Sequence, residues 1–281
     1  MLLAPPQPAP AQNSPATSQA SLATNAYPWL TTPYRTPASL AARFAPPAGC
    51  RRVALPAGSF GHWLRFLPLK PAGTAVRLHT GKLKPLQTVH AAVVDIDTGP
   101  RDLQQCADAV IRLRGEYLFS QDFRRIHFQL TSGHTVGFAD WVAGQTFQVR
   151  GEEVLPARKP AEAPTHAALR RYLDLIFTYA GTLSLARELR PAALASIQPG
   201  DVLIKGGSPG HAVLVLDAAE HAATRRRYVL LAQSYMPAQD LHVLRNVEQP
   251  QLGAWFAIDP AAEWLETPEW SFSSDQLKRW P

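Results

Sequence analysis

Short apolar runs separated by polar turns dominate the last third of the chain. Residues 202–204, 212–217 and 228–234 are apolar runs that are typical of buried β-strands. A polar, charged stretch joins the last two runs, so we predict an antiparallel hairpin there. Residues 241–244 and 254–258 repeat the pattern and add two more predicted strands.

A helical period runs through two other segments. After Asp102, a favourable N-cap residue, apolar positions recur every three to four residues. These positions are Leu103, Cys106, Val110, Leu113 and Tyr117. Residues 167–179 carry the same spacing, and Gly181 separates them from a second short helix predicted over 183–189.

The remaining apolar runs predict further strands. We predict strands over 75–79 and 89–95 before the Cys106 helix, a hairpin over 126–138 after it, and a polar loop over 151–164. Together the elements predict an α+β fold, in which a central antiparallel sheet is flanked by the Cys106 helix and the 167–179 helix.

The amino-acid composition of the first 26 residues differs from that of the rest of the chain. The first 26 residues form a Pro/Ala/Gln/Ser tract, which predicts disorder or the remnant of an export segment. Beyond it, a chain with 46% hydrophobic and 18% charged residues contains enough apolar side chains for a sizeable core. We therefore predict a single α+β domain over 27–281. Export to the periplasm or cell envelope is suspected, and a cytoplasmic location is the alternative.

The charge and the cysteine content limit which partners and cofactors are expected. The net charge is +6, but the basic residues are scattered and form no stripe with interleaved aromatics, which argues against nucleic-acid binding. No apolar run reaches the length of a membrane span. The two cysteines, Cys50 and Cys106, form no CxxC pair, so no zinc-thiolate site is expected, and a disulfide between them stays open. We expect a monomer that needs no metal and no other cofactor.

A glycine-rich loop delivers one histidine to the start of a strand. The loop precedes His211, and its backbone freedom suits close placement of a reactive side chain. The residues predicted to line a substrate cleft are Lys205, Gly206, Gly207, Ser208, Gly210, Gln105 and Ser234. A histidine placed in this way is a candidate general base.

Cys106 lies in the first turn of its predicted helix. The helix dipole and the free backbone amides there lower the pKa of a thiol, although a cysteine on an apolar helix face is more often a small core residue. If Asp217 pairs with Tyr228, antiparallel counting places His211 opposite Ser234, and a one-residue change places it opposite Gln233. Asp217 itself is six residues from His211, which is too far for contact.

Several motifs resemble a known family. They include DLQQCADAVIRLRGEYL, YAGTLSL, GDVLIKGGSPGHAVLVLD, LAQSYMPAQ and TPEWSFSSDQLKRW. From about residue 60 to the end, the chain resembles an uncharacterised bacterial family, domain of unknown function "forty-eight forty-six". The order of a cysteine helix, a GDV strand, a histidine that opens the next strand and a polar residue on the following strand is also similar to NlpC-type cysteine peptidases.

The second resemblance implies a papain-like (NlpC-type) core with insertions and a cysteine hydrolase. Cys106 matches the nucleophile, His211 the base and Gln233 the orienting residue, with an amide bond, such as that of a peptide or a cell-wall fragment, as the substrate. Two departures are Gln105 and Ala107, which replace the usual Asp and Ser beside the cysteine. The alternatives are a non-catalytic exported binding module with a hydrolase-like fold and a metal hydrolase that uses His211, Asp217 and His221.

Overall fold

The computed structural model describes residues 26–151 and 153–281. The disorder or export segment predicted for residues 1–26 therefore lies, except for Ala26, outside the described residues. Ala26 is buried, and its carbonyl oxygen accepts a hydrogen bond from the Trp63 indole at 2.7 Å. Among the described residues, no helix has both the length and the apolar character that crossing a bilayer requires.

The described residues form six α-helices and fifteen short strands. The helices are α1 (Leu40–Arg43), α2 (Phe60–Arg65), α3 (Cys106–Gln121), α4 (Phe138–Val142), α5 (His166–Tyr179) and α6 (Thr182–Glu188). The strands are β1 (Cys50–Arg52), β2 (His90–Val93), β3 (His127–Gln129), β4 (Thr135–Gly137), β5 (Gln145–Arg150), β6 (Glu153–Arg158), β7 (Arg190–Pro191), β8 (Val202–Lys205), β9 (His211–His221), β10 (Arg227–Gln233), β11 (His242–Leu244), β12 (Trp255–Ile258), β13 (Trp264–Thr267), β14 (Trp270–Ser273) and β15 (Leu277–Arg279).

One large antiparallel sheet dominates the fold. Seven of its strands follow the order β2-β11-β10-β9-β8-β15-β7, while β1 pairs with β9 and β12 pairs with β10. Strands β9 and β10 are buried along most of their length, because helices cover one face of the sheet and the β13–β14 hairpin packs near the other. The mixed helix and strand content and the predicted central antiparallel sheet are thus confirmed.

The register of the central hairpin differs from the prediction. Tyr228 pairs with Ala219, and Asp217 pairs with Leu230, so the assumed pairing of Asp217 with Tyr228 is wrong. The connection between the strands is shorter than the polar stretch suggested, because β9 continues to His221. A bulge between Leu230 and Leu231 then shifts the register by one residue toward the His211 end.

Helix α3 differs from the predicted amphipathic helix. It is buried on nearly every face, and two buried charged side chains on it, Arg112 and Glu116, bind each other at 2.7 Å. Asp102 is not its N-cap, because the helix begins only at Cys106 with Gln105 as the cap. The Asp102 carboxylate instead accepts a hydrogen bond from the backbone of Ala238 at 2.6 Å.

Two further predictions are corrected by the pairing. Residues 151–164 are not only a loop, since β6 lies within them and forms a hairpin with β5. Residues 75–79 form only isolated bridges, and β2 pairs with β11 instead of with that segment. Helices α5 and α6 lie where the periodicity predicted them, within one or two residues.

Candidate active site

Cys106 is the first residue of α3 and lies at the end of the helix that meets the sheet. Its side chain is buried, with 7% of the residue exposed. The Asp108 carboxylate accepts a hydrogen bond from the Gln105 backbone at 3.1 Å, which fixes the start of the helix. Cys106 and Cys50 are both free thiols, so the disulfide that the sequence left open is absent from the structure.

His211 opens β9 at the end of the preceding glycine-rich loop. It pairs with Lys205 across the β8–β9 ladder and is 2% exposed. Gly210 has no room for a side chain, because a Cβ atom there would overlap the Gly207 carbonyl oxygen and the Thr182 hydroxyl. The hydroxyl of Thr182 also donates to that carbonyl at 3.1 Å. The loop is therefore held against the start of α6, and the histidine is held with it.

Gln233 is the side chain that binds the imidazole. Its Oε1 lies 2.8 Å from Nε2 of His211. Because the bulge shifts the register, Gln233 reaches His211 diagonally along the sheet and not from the directly opposite position. Ser234 turns away, since its hydroxyl donates to the Gln239 carbonyl at 2.8 Å.

Glu269 fixes the orientation of the Gln233 amide. The Gln233 Nε2 group donates to Glu269 Oε2 at 2.6 Å, and a carboxylate can only accept. Gln233 Oε1 must then face His211, which places the imidazole proton on Nε2. Nδ1 of His211 consequently keeps its lone pair, on a ring that lines a cleft.

Glu269 and Lys84 are functional candidates that the sequence did not reveal. Glu269 also forms an ion pair with Lys84, which is 5% exposed. Lys84 stands in no recognisable motif, and Glu269, although it lies in the TPEWSFSSDQLKRW segment, is separated from Lys84 by 185 positions in the chain. Only the fold brings them behind Gln233.

Three aromatic rings enclose the imidazole. The ring centroids of Tyr235, Trp270 and Phe272 lie 4.8, 5.3 and 6.1 Å from that of His211. If the ladder register continued beyond Ala232, Tyr235 would be directly opposite His211. Trp270 and Phe272 come from β14, so the closing TPEWSF segment contributes to the site and not only to the structure.

Cys106 and His211 line the same cleft, whose volume is about 510 Å³. Of the residues predicted to line it, Gln105, Gly207, Ser208 and Gly210 do so. Three others lie elsewhere: Lys205 is exposed at the end of β8, Gly206 packs beneath α6 and Ser234 is buried beside Gln104. Residues that the prediction omitted include Asp102, Asp108, Phe177, Thr182, Tyr235, Met236 and Trp270.

Asp217 has a purely structural environment. Its carboxylate is fully buried and binds Arg52 at 2.7 Å and Arg65 at 2.8 Å. It is therefore neither the third member of the His211 site nor a free metal ligand. Within residues 26–151 and 153–281, no group of three or more His, Cys, Asp or Glu side chains is arranged to hold a metal ion.

The site holds a neutral thiol and a neutral imidazole at neutral pH. Burial, and to a smaller extent the neighbouring Asp108, raise the pKa of the Cys106 thiol to about 11, although the backbone amides of Ala212, Ala107 and Cys106 itself act in the opposite direction. Burial lowers the pKa of His211, which the Gln233 hydrogen bond and Glu269 partly oppose. Within the described part of the chain, no hydrogen bond joins Cys106 to His211. Such a thiol needs a base to become a nucleophile.

Asp108 is the buried acid beside the thiol. Burial raises its pKa to about 8, so it is protonated at neutral pH. One carboxyl oxygen, Oδ1, has no hydrogen-bond partner among the described residues. A neutral Asp108 does not repel a developing thiolate, whereas an ionised one would.

The cleft lining has apolar walls and acidic groups. Phe177, Met236 and Trp270 supply apolar surface, and no lysine or arginine lies among the described lining residues. The backbone hydrogen bond from Ala238 is the main cause that lowers the pKa of Asp102, so this carboxylate is ionised. The net basic charge of the chain therefore does not extend into the cleft.

Comparison with known proteins identifies a family. Residues 40–279 match the family model described as domain of unknown function (4846), and the chain belongs to this family. No curated protein gives a significant match. No solved structure does so either.

Proposed function

We propose that this member of the family is a cysteine-dependent hydrolase of amide bonds, with Cys106 as the nucleophile and His211 as the general base. The observation that carries the proposal is the hydrogen bond of 2.8 Å between His211 Nε2 and Gln233 Oε1. It leaves Nδ1 as the basic nitrogen in the cleft that Cys106 also lines. Nucleophile, base and orienting group are the three parts that covalent acyl transfer needs.

The proposed reaction has two steps. His211 Nδ1 takes the Cys106 proton as the sulfur attacks the carbonyl carbon, and the imidazolium then protonates the departing amine, which leaves a thioester. In the second step, His211 takes a proton from water, the hydroxyl attacks the thioester, and the proton returns to the sulfur. In this proposal the backbone amide of Cys106, which is the first residue of α3, stabilises the oxyanion in both steps.

The lining of the cleft supports one class of substrate. Apolar walls and the ionised Asp102 favour amides with apolar and uncharged or positively charged groups over anionic ones. A peptide is the simplest such substrate, and a cell-wall peptide fits only if an uncharged or cationic part of it enters the cleft.

The arrangement of elements supports a papain-like core. A helix begins with the thiol, packs against β9, and the base and its orienting residue lie on β9 and β10. The insertion between Cys106 and β8 holds β3 to β6, α4, α5 and α6, which accounts for its length. Gln105 and Ala107 remain departures from the NlpC-type motif.

A non-catalytic binding module is the second candidate. The burial and the raised pKa of Cys106 favour it, since a protonated buried thiol is also what a structural cysteine shows. In that case the same cleft would bind a peptide or glycan through Trp270, Tyr235 and Met236 without chemistry.

Labelling with a thiol-directed electrophile separates the two. In a Cys50→Ser background, iodoacetamide should label Cys106 at neutral pH, and His211→Ala should slow this labelling at least about tenfold because the base is lost. Cys106→Ala is the blank. If His211→Ala leaves the labelling rate unchanged while circular dichroism shows a folded protein, the hydrolase proposal is wrong and the binding module is favoured.

A further inference from the structure

The tip of the β13–β14 hairpin brings two adjacent residues to His211. Thr267 pairs with Trp270 and closes the turn, and the Thr267 hydroxyl donates to the Trp270 carbonyl at 2.6 Å. Within this turn, Glu269 binds the Gln233 amide, while the next residue, Trp270, places its ring 5.3 Å from the imidazole. One turn therefore contacts His211 both directly and through Gln233.

Lys84 lies far from the β13–β14 hairpin in the sequence, but it contacts Glu269 of the hairpin turn in the fold. Its backbone amide donates to the Val76 carbonyl at 2.9 Å, and the Gln87 side chain donates to the Lys84 carbonyl at 2.7 Å, so the residue is anchored locally. Its ammonium binds Glu269 and lies 5.8 Å from the centre of the Tyr235 ring, which itself lies against His211. Lys84 thus contacts two of the groups that surround the imidazole.

We propose that the Lys84–Glu269 pair is a positioning device for His211, which acts through Gln233 to keep the imidazole proton on Nε2 and the lone pair on Nδ1. This inference rests on the proposed function, in which Nδ1 is the base. An amide can present either end to a histidine, and only the Glu269 carboxylate, which accepts from its NH2 group, selects the oxygen. The ammonium of Lys84 holds the Glu269 carboxylate in place.

Few other charges face His211. The surrounding groups that can titrate are Tyr235, Cys106, Asp108, Asp102, His242 and His90. Burial lowers the pKa of His242 to about 3, so it is neutral, and Cys106 and Asp108 are protonated at neutral pH. Asp102 on the cleft wall is the remaining carboxylate and is the same in every variant below. Lys84 and Glu269 are therefore the charges that variants can exchange without altering the thiol.

The pair makes opposite predictions for single substitutions. Glu269→Gln removes a negative charge but keeps an acceptor for Gln233, because Lys84, which donates to the same oxygen as Gln233 does, holds the oxygen of the new amide in that place. The tautomer therefore stays, and the pKa of His211 should fall by about one unit. Lys84→Met removes the positive charge, so the pKa of His211 should rise by a similar amount. Glu269→Leu removes the acceptor, so the Nε2–H tautomer should lose its dominance and the acylation rate of Cys106 should fall about 10- to 100-fold.

Nitrogen NMR of histidine-labelled protein reads the tautomer and the pKa without a substrate. The resonances of His211 are assigned by their loss in His211→Gln. Lys70→Met is the matched control, because it breaks the Lys70–Asp240 pair of 2.9 Å elsewhere in the fold and should leave His211 unchanged. If Glu269→Leu does not fold, Lys84→Met/Glu269→Leu replaces both charges by apolar groups and leaves no buried charge unpaired.

We expect His211 to lose its preference for the Nε2–H tautomer in Glu269→Leu or in the double variant. The pKa of His211 should fall in Glu269→Gln and rise in Lys84→Met. A wild-type tautomer and pKa in all of them would overturn the positioning proposal, whatever the hydrolytic activity. Failure of the proposed function would look different: the tautomer would respond as predicted, but Cys106 would form no acyl adduct.

Discussion

Two buried polar side chains on β9 have opposite environments. Near the middle of the strand, Asp217 is fully buried and each of its carboxylate oxygens is bound by an arginine, Arg52 or Arg65. At the start of the strand, His211 is almost as buried, but among the described residues only its Nε2 is bound, and the ring borders a cleft. Complete pairing makes the first group structural, whereas the second keeps a ring nitrogen without a partner among the described residues, in the cleft that Cys106 also lines, as the proposed chemistry requires.

The comparison teaches that burial alone does not identify a site. Both side chains are polar, interior and on the same strand, and the metal-hydrolase alternative named both as possible ligands. What separates them is the number of satisfied hydrogen-bonding positions and the presence of open space next to the group. Substitutions at Asp217, at His211 and around them test whether the two positions differ as proposed.

Removing either member of the proposed dyad should give the largest effect. Cys106→Ala and His211→Ala should each lower the hydrolysis of an activated ester by at least about 1000-fold, since neither nucleophile nor base can be replaced from nearby. The melting temperature should change little. Stopped-flow hydrolysis with purified protein measures the rate, and residual activity within tenfold of wild type in both variants would contradict the dyad.

Substitution of Asp217 should instead destabilise the fold. Asp217→Ala leaves Arg52 and Arg65 without their shared partner, and we expect a loss of about 3 to 5 kcal/mol in the free energy of unfolding. The fraction that remains folded should keep its hydrolytic rate. Urea denaturation measures the stability, and a variant that stays stable but loses activity would remove the contrast between Asp217 and His211.

The loop that holds His211 should tolerate no added carbon at Gly210. Gly210→Ala forces the loop and α6 apart, because its Cβ overlaps Gly207 and Thr182, so we expect about 1 to 3 kcal/mol of destabilisation and a slower hydrolysis. Gly181→Ala is the matched control, since a Cβ there meets open space, and it should stay within about 0.5 kcal/mol of wild type. Equal effects at the two glycines would argue against a tight loop.

The smallest predicted effect is a pH dependence due to Asp108. Its pKa is about 8 in the fold against an ordinary value of 3.8, so the folded state holds the proton more tightly. The contribution to stability is full below about pH 4 and is lost as the pH rises to about 8. Asp108→Asn should abolish this decline, which is at most about 1.4 kcal/mol per pH unit, in urea titrations at both ends of that range. Parallel curves for wild type and variant would show that Asp108 is not the source.

Much of the fold could be predicted from the sequence. The periodicity located α5, α6, β8, β9 and β10, since each is an apolar pattern that local spacing defines. The start of α3 was misjudged, because a favourable capping residue at Asp102 is used to bind Ala238 instead. Strand β6 was missed because it contains Pro156, which argues against a strand, and because its burial does not alternate regularly.

The site was predictable in part. Cys106, His211 and Gln233 could be proposed because a thiol at a helix start and a histidine after a glycine loop are local signals. The reasoning for Gln233 was nevertheless incorrect, since a bulge that no pattern revealed sets the true register. Lys84 and Glu269 could not be found, because only long-range folding joins them.

Trapping of an acyl-enzyme tests directly whether Cys106 is a nucleophile that His211 activates. Wild-type protein is mixed briefly with p-nitrophenyl acetate and quenched in acid, and peptide mass spectrometry locates the acetyl group. We predict one acetyl group on Cys106, none on Cys50, and a rate of formation at least about 100-fold lower in His211→Ala. Acetylation of Cys106 at the same rate in His211→Ala, or no acetylation of Cys106 in the wild type, would contradict the account.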